Sequence, residues 1–357
     1  MERAITAIGT ANPAFKRHQL EIAELTVAAL NLNPAQKRLL KSVYKATGIE
    51  HRYSVLADLP NDISGPFPST ATRMQIYKDN ALALAISAIE DCMTQVDVEL
   101  TQITHLITVS CTGMYAPGID IEIVQTLKLN SSTKRTVINF MGCYGAFNAM
   151  RVADDICRAH TNAKVLIVSV ELCTLHFQKS TQLDNLISHA IFADGAAAAL
   201  IESTTNTKKY FSFEHFHCDL LPQTSQEMAW HISDTGFDIV LSSYVPEIIE
   251  SGIGSFINNI LHQQQINLTD IDLFAIHPGG LKILQACEKA LTITPEQNKH
   301  AYHVLKNYGN MSSATILFVL KAMLNDIKQQ DHGKRVFSCA FGPGLTIESM
   351  LLKVNLC

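Results

Sequence analysis

The sequence has neither an excess of basic charge nor a long apolar run. Its 357 residues carry 28 basic and 33 acidic side chains, a formal net charge of −5, so no extended positive field is available to bind nucleic acid. No segment approaches the roughly 20 apolar residues that a membrane-spanning helix needs. These absences argue against a nucleic-acid partner and against a membrane span.

Signal-peptide and paired-cysteine patterns are also missing. The N-terminus mixes polar with apolar residues and reaches Asn12 and Pro13 too early for a signal-peptide core. The nine cysteines are odd in number and contain no CxxC pair, which fits neither a disulfide framework nor a zinc site. We therefore expect a cytoplasmic protein with reduced thiols.

What is present is a pattern of alternating strands and helices. Strands are expected at residues 5–9, 104–110, 136–140, 164–170, 272–276 and 335–340. Helices are expected at residues 19–30, 34–47, 72–95, 246–263, 280–290 and 312–327, and one from the turn at Cys143 to about residue 159. This alternation indicates an α/β protein with parallel or mixed sheets.

The two halves of the chain follow similar plans. In each, a strand leads to a helix that opens with small residues, at 142–146 and 309–314, and a later strand is marked by glycine, at 194–196 and 341–344. A polar segment at 203–209 is the best boundary, which predicts halves of residues 1–205 and 206–357. The pattern suggests a duplicated fold with its active site at the seam.

Cys143 is the first candidate for chemistry. It lies between Gly142 and Gly145, where a strand turns into a helix. Unpaired backbone N–H groups at a helix N-terminus favour a thiolate, and hence a nucleophile. The alternative is that Cys143, like most free cysteines, is a small buried apolar residue.

His277 and Asn310 occupy similar places, at glycine-rich ends of elements where α/β proteins often build their sites. His277 closes an apolar strand before a Pro-Gly-Gly turn, and Asn310 follows Gly309 at a helix start. Taken alone, the histidine is better explained as a structural residue and the asparagine as a helix cap.

Together these segments resemble the active site of the type III polyketide synthases, the chalcone and stilbene synthase-like enzymes of the thiolase superfamily. The resemblance rests on motifs at residues 7–13, 142–143, 192–196, 276–280, 308–313 and 341–345, and so covers nearly the whole chain. The ketoacyl synthase III enzymes share the Cys-His-Asn triad but usually lack the His-Pro-Gly-Gly and Gly-Pro-Gly motifs.

The resemblance implies a five-layered αβαβα thiolase-like fold of two pseudo-duplicated halves, and a homodimer. Cys143 would carry the acyl chain as a thioester, acting as a thiolate paired with the His277 imidazolium. His277 and Asn310 would stabilise the enolate formed when malonyl-CoA loses carbon dioxide. Acyl-CoA and malonyl-CoA would be the substrates, with no metal and no cofactor.

The resemblance also assigns pocket residues, several of which depart from the plant enzymes. Phe192 matches a gatekeeper phenylalanine, whereas Ile239 replaces the second. The other pocket positions are Cys111 and His176 in place of threonines, Trp230 in place of a glycine, Ala116 in place of a methionine that reaches the partner subunit, and Ser312. These changes favour an aliphatic acyl-CoA or malonyl-CoA starter and a pyrone or resorcinol-type product.

Two further regions follow from the resemblance. Phe341, Gly342, Pro343 and Gly344 match the cyclisation loop, although Ala340 replaces its first glycine. Lys41, Lys45 and Lys282 are the expected CoA phosphate partners, while none is in register with the family's own basic residues. The lysines of the early helix are equally explained as a solvated face.

Three other functions fit parts of this pattern. A ketoacyl synthase III-like acyltransferase would use a carrier protein, and a Cys-His thioesterase or protease would use the same nucleophile. A non-catalytic scaffold would make no use of the triad. The apolar residues expected around Cys143 argue against hydrolysis, which needs a positioned water.

Overall fold

The computed structural model describes residues 2–57, 67–204, 208–222 and 224–356. In these ranges the strands are β1 (Glu2–Ala11), β2 (Phe15–His18), β3 (His51–Ser54), β4 (His105–Ser110), β5 (Lys134–Asn139), β6 (Lys164–Leu172), β7 (Asp194–Thr204), β8 (Lys209–Leu220), β9 (Met228–Ser233), β10 (Gly236–Leu241), β11 (Leu273–Ile276), β12 (Arg335–Gly342) and β13 (Thr346–Leu356). The helices are α1 (Gln19–Leu30), α2 (Pro34–Lys45), α3 (Thr70–Met93), α4 (Ile119–Thr126), α5 (Gly145–Ala159), α6 (Leu183–Ile191), α7 (Val245–Gln264), α8 (Leu281–Leu291), α9 (Lys299–Tyr308) and α10 (Thr315–Asp326).

Nine strands form one mixed sheet in the order β11-β12-β13-β8-β1-β7-β6-β4-β5. The two halves join where β1 pairs antiparallel with β8, through Ala4 with Ser212 and Ile5 with Phe211. On each side of this junction an antiparallel strand is followed by parallel ones, namely β6, β4 and β5 on one side and β12 and β11 on the other. Apart from β5, which has no counterpart beyond β11 among the described residues, the two sides of the sheet have the same strand order.

Helices α5 and α10 pack against the strands of both halves, and α3 packs on β1, β7 and β6. In the second half of the chain, Phe256 of α7 packs against His217 of β8, with ring centroids 5.0 Å apart. Close packing needs small residues: a Cβ on Gly9 of β1 would lie 2.0 Å from the carbonyl oxygen of Ala88 in α3. This layered α/β arrangement is the predicted fold class.

The strand β6 shows how an apolar run in the sequence predicted a buried central strand. Its residues from Val165 to Leu172 are all buried, as expected for a run that is apolar on both faces of a sheet. The expected strands and helices are present, with ends shifted by a few residues. The main change is at Cys143, which lies in a 3₁₀ turn (Gly142–Tyr144) before α5 and not in the helix itself.

Several elements were not anticipated, including the β9–β10 hairpin, the β2–β3 ribbon, α6 and α9. Residues 205–207 of the expected boundary lie outside the described residues. The eight cysteines in the described ranges are all free thiols. Within those ranges, none of the helices has the length and apolar character to cross a bilayer.

Candidate active site

Cys143 sits in a turn that only glycines allow. Gly142 has φ of +76°, and a Cβ there would lie 2.4 Å from Cδ of Pro343. A Cβ on Gly145 would lie 2.9 Å from Val109 Cγ1. The glycines therefore let the turn pack closely against both the loop that contains Pro343 and the sheet, and Cys143 lines a cavity next to α5.

Asn310 approaches this thiol from the other half of the chain. Its side-chain amide lies 3.9 Å from Cys143 Sγ. The amide oxygen accepts a hydrogen bond from Ser312 N–H (2.8 Å), and Nδ2 donates to the carbonyl of Gly279 (3.2 Å). Its backbone is bonded to Ile191 and Ala193. Asn310 caps a local N–H, as the alternative proposed, but it also faces the thiol.

His277 follows β11, where its backbone N–H donates to the carbonyl of Cys339 (2.8 Å). Its side chain is buried, and neither ring nitrogen has a hydrogen-bond partner within the described residues. A structural histidine would have its nitrogens satisfied. His277 instead leaves both without a partner in the described part of the chain and lines the candidate catalytic cavity together with Cys143 and Asn310.

The protonation states in the site are set mainly by burial. Burial raises the pKa of Cys143 to about 12, against smaller opposing effects of hydrogen bonds from Ser312 and Asn310. Burial lowers the pKa of His277 to about 3. The unliganded site thus favours a neutral thiol and a neutral imidazole, which differs from the expected resting thiolate, because desolvation outweighs the helix N-terminus.

A buried carboxylate beneath the site escaped the sequence reasoning. Glu171 is fully buried and accepts hydrogen bonds from Cys111 N–H (2.9 Å), Thr112 Oγ1 (2.7 Å) and Ser313 Oγ. Glu171 therefore links β6 and the residues that follow β4 to Ser313 in the second half of the chain. The sequence feature that could have indicated Glu171 is an acidic residue directly after the apolar run of a central strand. Burial raises the pKa of its carboxyl group.

The catalytic cavity has a volume of about 310 Å³ and mostly apolar walls. The predicted pocket residues that line it are Cys111, Phe192, Trp230, Ile239, Ser312, Phe341 and Pro343. Unpredicted walls come from α6 and the β9–β10 hairpin, through Leu183, Ile187, Ile191, Met228 and Leu241. These side chains were missed because their elements were not assigned. Gly342 and Gly344 flank Pro343 without lining the cavity.

Two predicted pocket residues lie elsewhere. His176 stands behind Trp230, where Nε2 bonds to the carbonyl of Thr112 (2.7 Å) and Nδ1 accepts from Phe237 N–H (2.9 Å). It supports the wall and does not line the catalytic cavity. Ala116 lines a separate cleft beside β5, and its expected place in a partner's cavity stays a prediction.

The lysines expected to bind CoA differ in position. Lys282 lines the catalytic cavity at the start of α8. Lys41 is paired with Glu24, Nζ to Oε1, at 2.6 Å, so its charge is already partly offset. Lys45 ends α2, and the next two residues, Ala46 and Thr47, line the cavity. Lys282 and Lys45 are therefore the better placed cations.

Comparison with known proteins agrees with this geometry. Family models of the chalcone and stilbene synthases match residues 2–205 with their N-terminal domain and 214–355 with their C-terminal domain. The α-pyrone synthesis polyketide synthase-like Pks18 of Mycobacterium tuberculosis is 31% identical over 98% of this chain and 91% of its own length.

Solved structures show the same fold. PKS-I from the brown alga Ectocarpus siliculosus superposes with a TM-score of 0.93 at 27% identity, covering 99% of this chain and 98% of its own. The C-terminal type III polyketide synthase domain of Steely1 from Dictyostelium gives 0.93 at 26% identity, covering both chains completely. The chain belongs to the chalcone and stilbene synthase family and is a type III polyketide synthase.

Proposed function

We propose that Cys143 accepts an acyl group from an acyl-CoA starter and that malonyl-CoA then extends it. The observation that carries this proposal is the convergence of Cys143, His277 and Asn310, from both halves, on one mostly apolar cavity. In the loading step, Cys143 Sγ attacks the thioester carbon and its proton passes to His277. CoA leaves as the thiolate and takes that proton, so a Cys143 thioester remains.

In the extension step, malonyl-CoA loses carbon dioxide and becomes the enolate of acetyl-CoA. His277 and Asn310 donate hydrogen bonds to the enolate oxygen, one from the imidazole and one from Nδ2. The enolate carbon attacks the Cys143 thioester, the Cys143 thiolate leaves, and a β-ketoacyl-CoA is formed. The apolar ring of Phe192, which lines the cavity, disfavours the buried carboxylate and so promotes decarboxylation.

The cavity supports an aliphatic acyl-CoA or malonyl-CoA starter and a pyrone or resorcinol-type product. Trp230 and Ile239 narrow the space opposite Cys143, and Leu183 and Ile187 add further aliphatic surface. No acidic side chain lines the cavity among the described residues. The similarity to a protein named for α-pyrone synthesis points to the same product class.

We also propose that the enzyme acts as a cytoplasmic homodimer without a metal or cofactor. Its eight described cysteines are reduced, as expected in a reducing compartment. CoA phosphates would be held by Lys282 and Lys45 at the cavity mouth, as point charges.

A panel of starter acyl-CoAs with malonyl-CoA, followed by mass spectrometry of the products, tests this function. We expect triketide or longer pyrones or resorcinols from aliphatic starters. Extension only with malonyl-carrier protein would identify a ketoacyl synthase III-like enzyme. Starter consumption without malonyl-CoA and without carbon dioxide release would identify a thioesterase.

A further inference from the structure

A second cavity lies behind one wall of the catalytic cavity. Cys173, Phe192, Trp230 and Ile239 line both, so they form a partition between the two spaces. The second cavity has a volume of about 60 Å³. A single buried water needs roughly 10–15 Å³ by this measure. The space therefore holds a group of about four heavy atoms.

Arg52 of β3 brings a buried positive charge to this cavity. The residue is only 5% exposed. Its Nε donates to Gln19 Oε1 (2.8 Å) and Nη1 donates to the carbonyl of Phe192, but Nη2 is buried without a hydrogen-bond partner among the described residues. Asp194 acts on Arg52 only at longer range. Its carboxylate already accepts from the backbone N–H groups of Val55 and Thr174.

His189 of α6 adds a second donor. Its Nε2 accepts a hydrogen bond from the backbone N–H of Gln178 (3.1 Å). Burial, aided by the charge of Arg52, lowers the pKa of His189 to about 3, so the ring is neutral at pH 7. A neutral imidazole that accepts at Nε2 carries its proton on Nδ1. This Nδ1 is also buried without a partner within the described ranges.

The hydroxyl group of Tyr44 is close enough to the guanidinium group of Arg52 to interact with it through charge and a side-chain hydrogen bond. It also donates to the carbonyl of His189 (3.2 Å) and shares a hydrogen bond with Thr26 (2.9 Å), and Arg52 Nη2 itself still has no hydrogen-bond partner among the described residues. Two N–H donors, one of them cationic, are thus left without an acceptor among the described residues, on side chains that line the cavity. Buried donors without an acceptor are costly, and in native proteins a bound group usually satisfies them.

We propose that this second cavity is a binding subsite for a small carboxylate. Its oxygens accept hydrogen bonds from Arg52 Nη2 and His189 Nδ1, and its charge offsets that of the buried guanidinium. A carboxylate with one or two carbons matches the available volume. The carboxylate comes either from a free short-chain acid or from the distal end of an acyl chain on Cys143. The second source rests on the proposed function.

Trp230 provides the test, because it is the only tryptophan of the chain and lines the partition. Its fluorescence is followed while the protein is titrated with formate or acetate, and with formamide or acetamide as uncharged controls. We expect a saturable change with the carboxylates alone. The absence of saturation, or an equal response to the amides, overturns the proposal.

Variants locate the bound carboxylate. His189→Gln keeps an acceptor for Gln178 N–H and a donor for the cavity, whereas His189→Leu removes both. We expect His189→Leu to weaken carboxylate binding by at least about tenfold and His189→Gln to restore most of it. His277→Ala, in the catalytic cavity, should leave binding unchanged. If His277→Ala abolishes binding and His189→Leu does not, the carboxylate lies in the catalytic cavity and the proposal is wrong.

Circular dichroism shows whether each variant is folded. If His189→Leu does not fold, Arg52→Lys takes its place, because it keeps the charge but loses the guanidinium donors that reach the cavity. Weaker carboxylate binding by folded Arg52→Lys supports the subsite, and unchanged binding overturns it.

A final comparison identifies the source of the carboxylate. A dicarboxylic acyl-CoA and its monomethyl ester of equal length are compared as starters. A lower KM for the acid, with competition by acetate, supports the subsite with the acyl chain as its source. Equal KM values, with acetate still bound, support a free acid. If no starter is turned over, the proposed function fails, whereas the fluorescence titration still decides the subsite.

Discussion

At the scale of single residues, the surroundings of the candidate catalytic side chains favour their neutral forms. Burial raises the pKa of Cys143 and lowers that of His277, so separate charges are unfavourable. Transfer of one proton from sulfur to imidazole creates two opposite charges together, and their attraction is strong where the dielectric is low. We infer that the nucleophile forms as a pair with His277 and not by ionisation of Cys143 alone.

Replacing the triad members one at a time separates their roles. Cys143→Ala should abolish starter loading and product formation but keep some decarboxylation of malonyl-CoA. His277→Ala should lose both activities, because an oxyanion donor is typically worth about 10²–10³ in rate. Carbon dioxide release and product are measured in parallel. Full product formation by Cys143→Ala would falsify the proposed mechanism.

The pH dependence of Cys143 alkylation tests the coupling to His277. Since burial raises the pKa of the thiol to about 12 despite the opposing hydrogen bonds, the thiolate fraction without a proton acceptor should rise about tenfold per pH unit below that value. We therefore expect iodoacetamide to react with His277→Ala at a rate that climbs steadily from pH 7 to 10, and with the unmodified protein faster at neutral pH. Identical profiles would exclude His277 as the proton acceptor.

Trp230 should limit the length of the growing chain. Its indole Nε1 donates to the carbonyl of Cys111 (2.8 Å), and its ring packs edge-on against His176 with centroids 5.6 Å apart. Trp230→Gly should permit longer starters or further extensions, whereas Trp230→Phe keeps most of the volume and should change the products little. Mass spectrometry reports both. The same products from folded Trp230→Gly would show that this wall does not control length.

At the scale of elements, the site depends on the close approach of two turns. The 3₁₀ turn that carries Cys143 meets the loop between β12 and β13, where Gly142 lies against Pro343 and a Cβ on Gly342 would lie 2.5 Å from the Tyr144 ring. No side chain fits at either contact, so the position of Cys143 is set by backbone packing across the two halves.

Gly142→Ala tests this contact. Its positive φ and its approach to Pro343 should together cost at least about 2 kcal/mol of the free energy of unfolding, with loss of activity. The matched control is Gly254→Ala in the middle of α7, where no atom lies within 4 Å of the added Cβ. That change should stabilise the protein by about 0.5–1 kcal/mol. Chemical denaturation measures both, and an equal effect of the two changes would refute the contact.

At the scale of the whole molecule, the sheet ends in an open edge. Within the described residues the last strand, β5, pairs only with β4, and its Val137 is 50% exposed. Met114, in the neighbouring loop, is 39% exposed. An edge strand with exposed apolar residues is suited to pair with another chain. This edge is where we expect the second subunit of the homodimer.

Sedimentation at micromolar concentration tests the dimer and its location. We expect a dimer for the unmodified protein and a monomer for Val137→Asp, since a carboxylate on the edge would be buried without a partner. Ile232→Asp, at a side chain that is 62% exposed on β9, should remain dimeric. A monomeric unmodified protein contradicts the prediction, and a dimeric Val137→Asp places the interface elsewhere.

The three candidate site residues could be predicted from the sequence, because each is marked by a few residues next to it in the chain. The glycines around Cys143, the turn after His277 and the small residues after Asn310 each mark a backbone conformation that few residue types allow. The apolar run of β6 marked a central strand in the same way. The family and the α/β fold followed from these segments, and the comparisons and the structure confirm both. The division into residues 1–205 and 206–357 and the roles of the site residues stay predictions.

Only the tertiary structure decided which side chains share a space and how burial changes them. His176 lies behind the cavity wall, and Lys41 forms an ion pair with Glu24. Neither position could be predicted from the sequence, because both depend on residues distant along the chain. The contacts of Glu171, the buried nitrogens of Arg52 and His189 that have no hydrogen-bond partner among the described residues, and the pKa changes of Cys143 and His277 arise in the same way. Desolvation and hydrogen-bond satisfaction are properties of the folded packing, and no local pattern of residues records them.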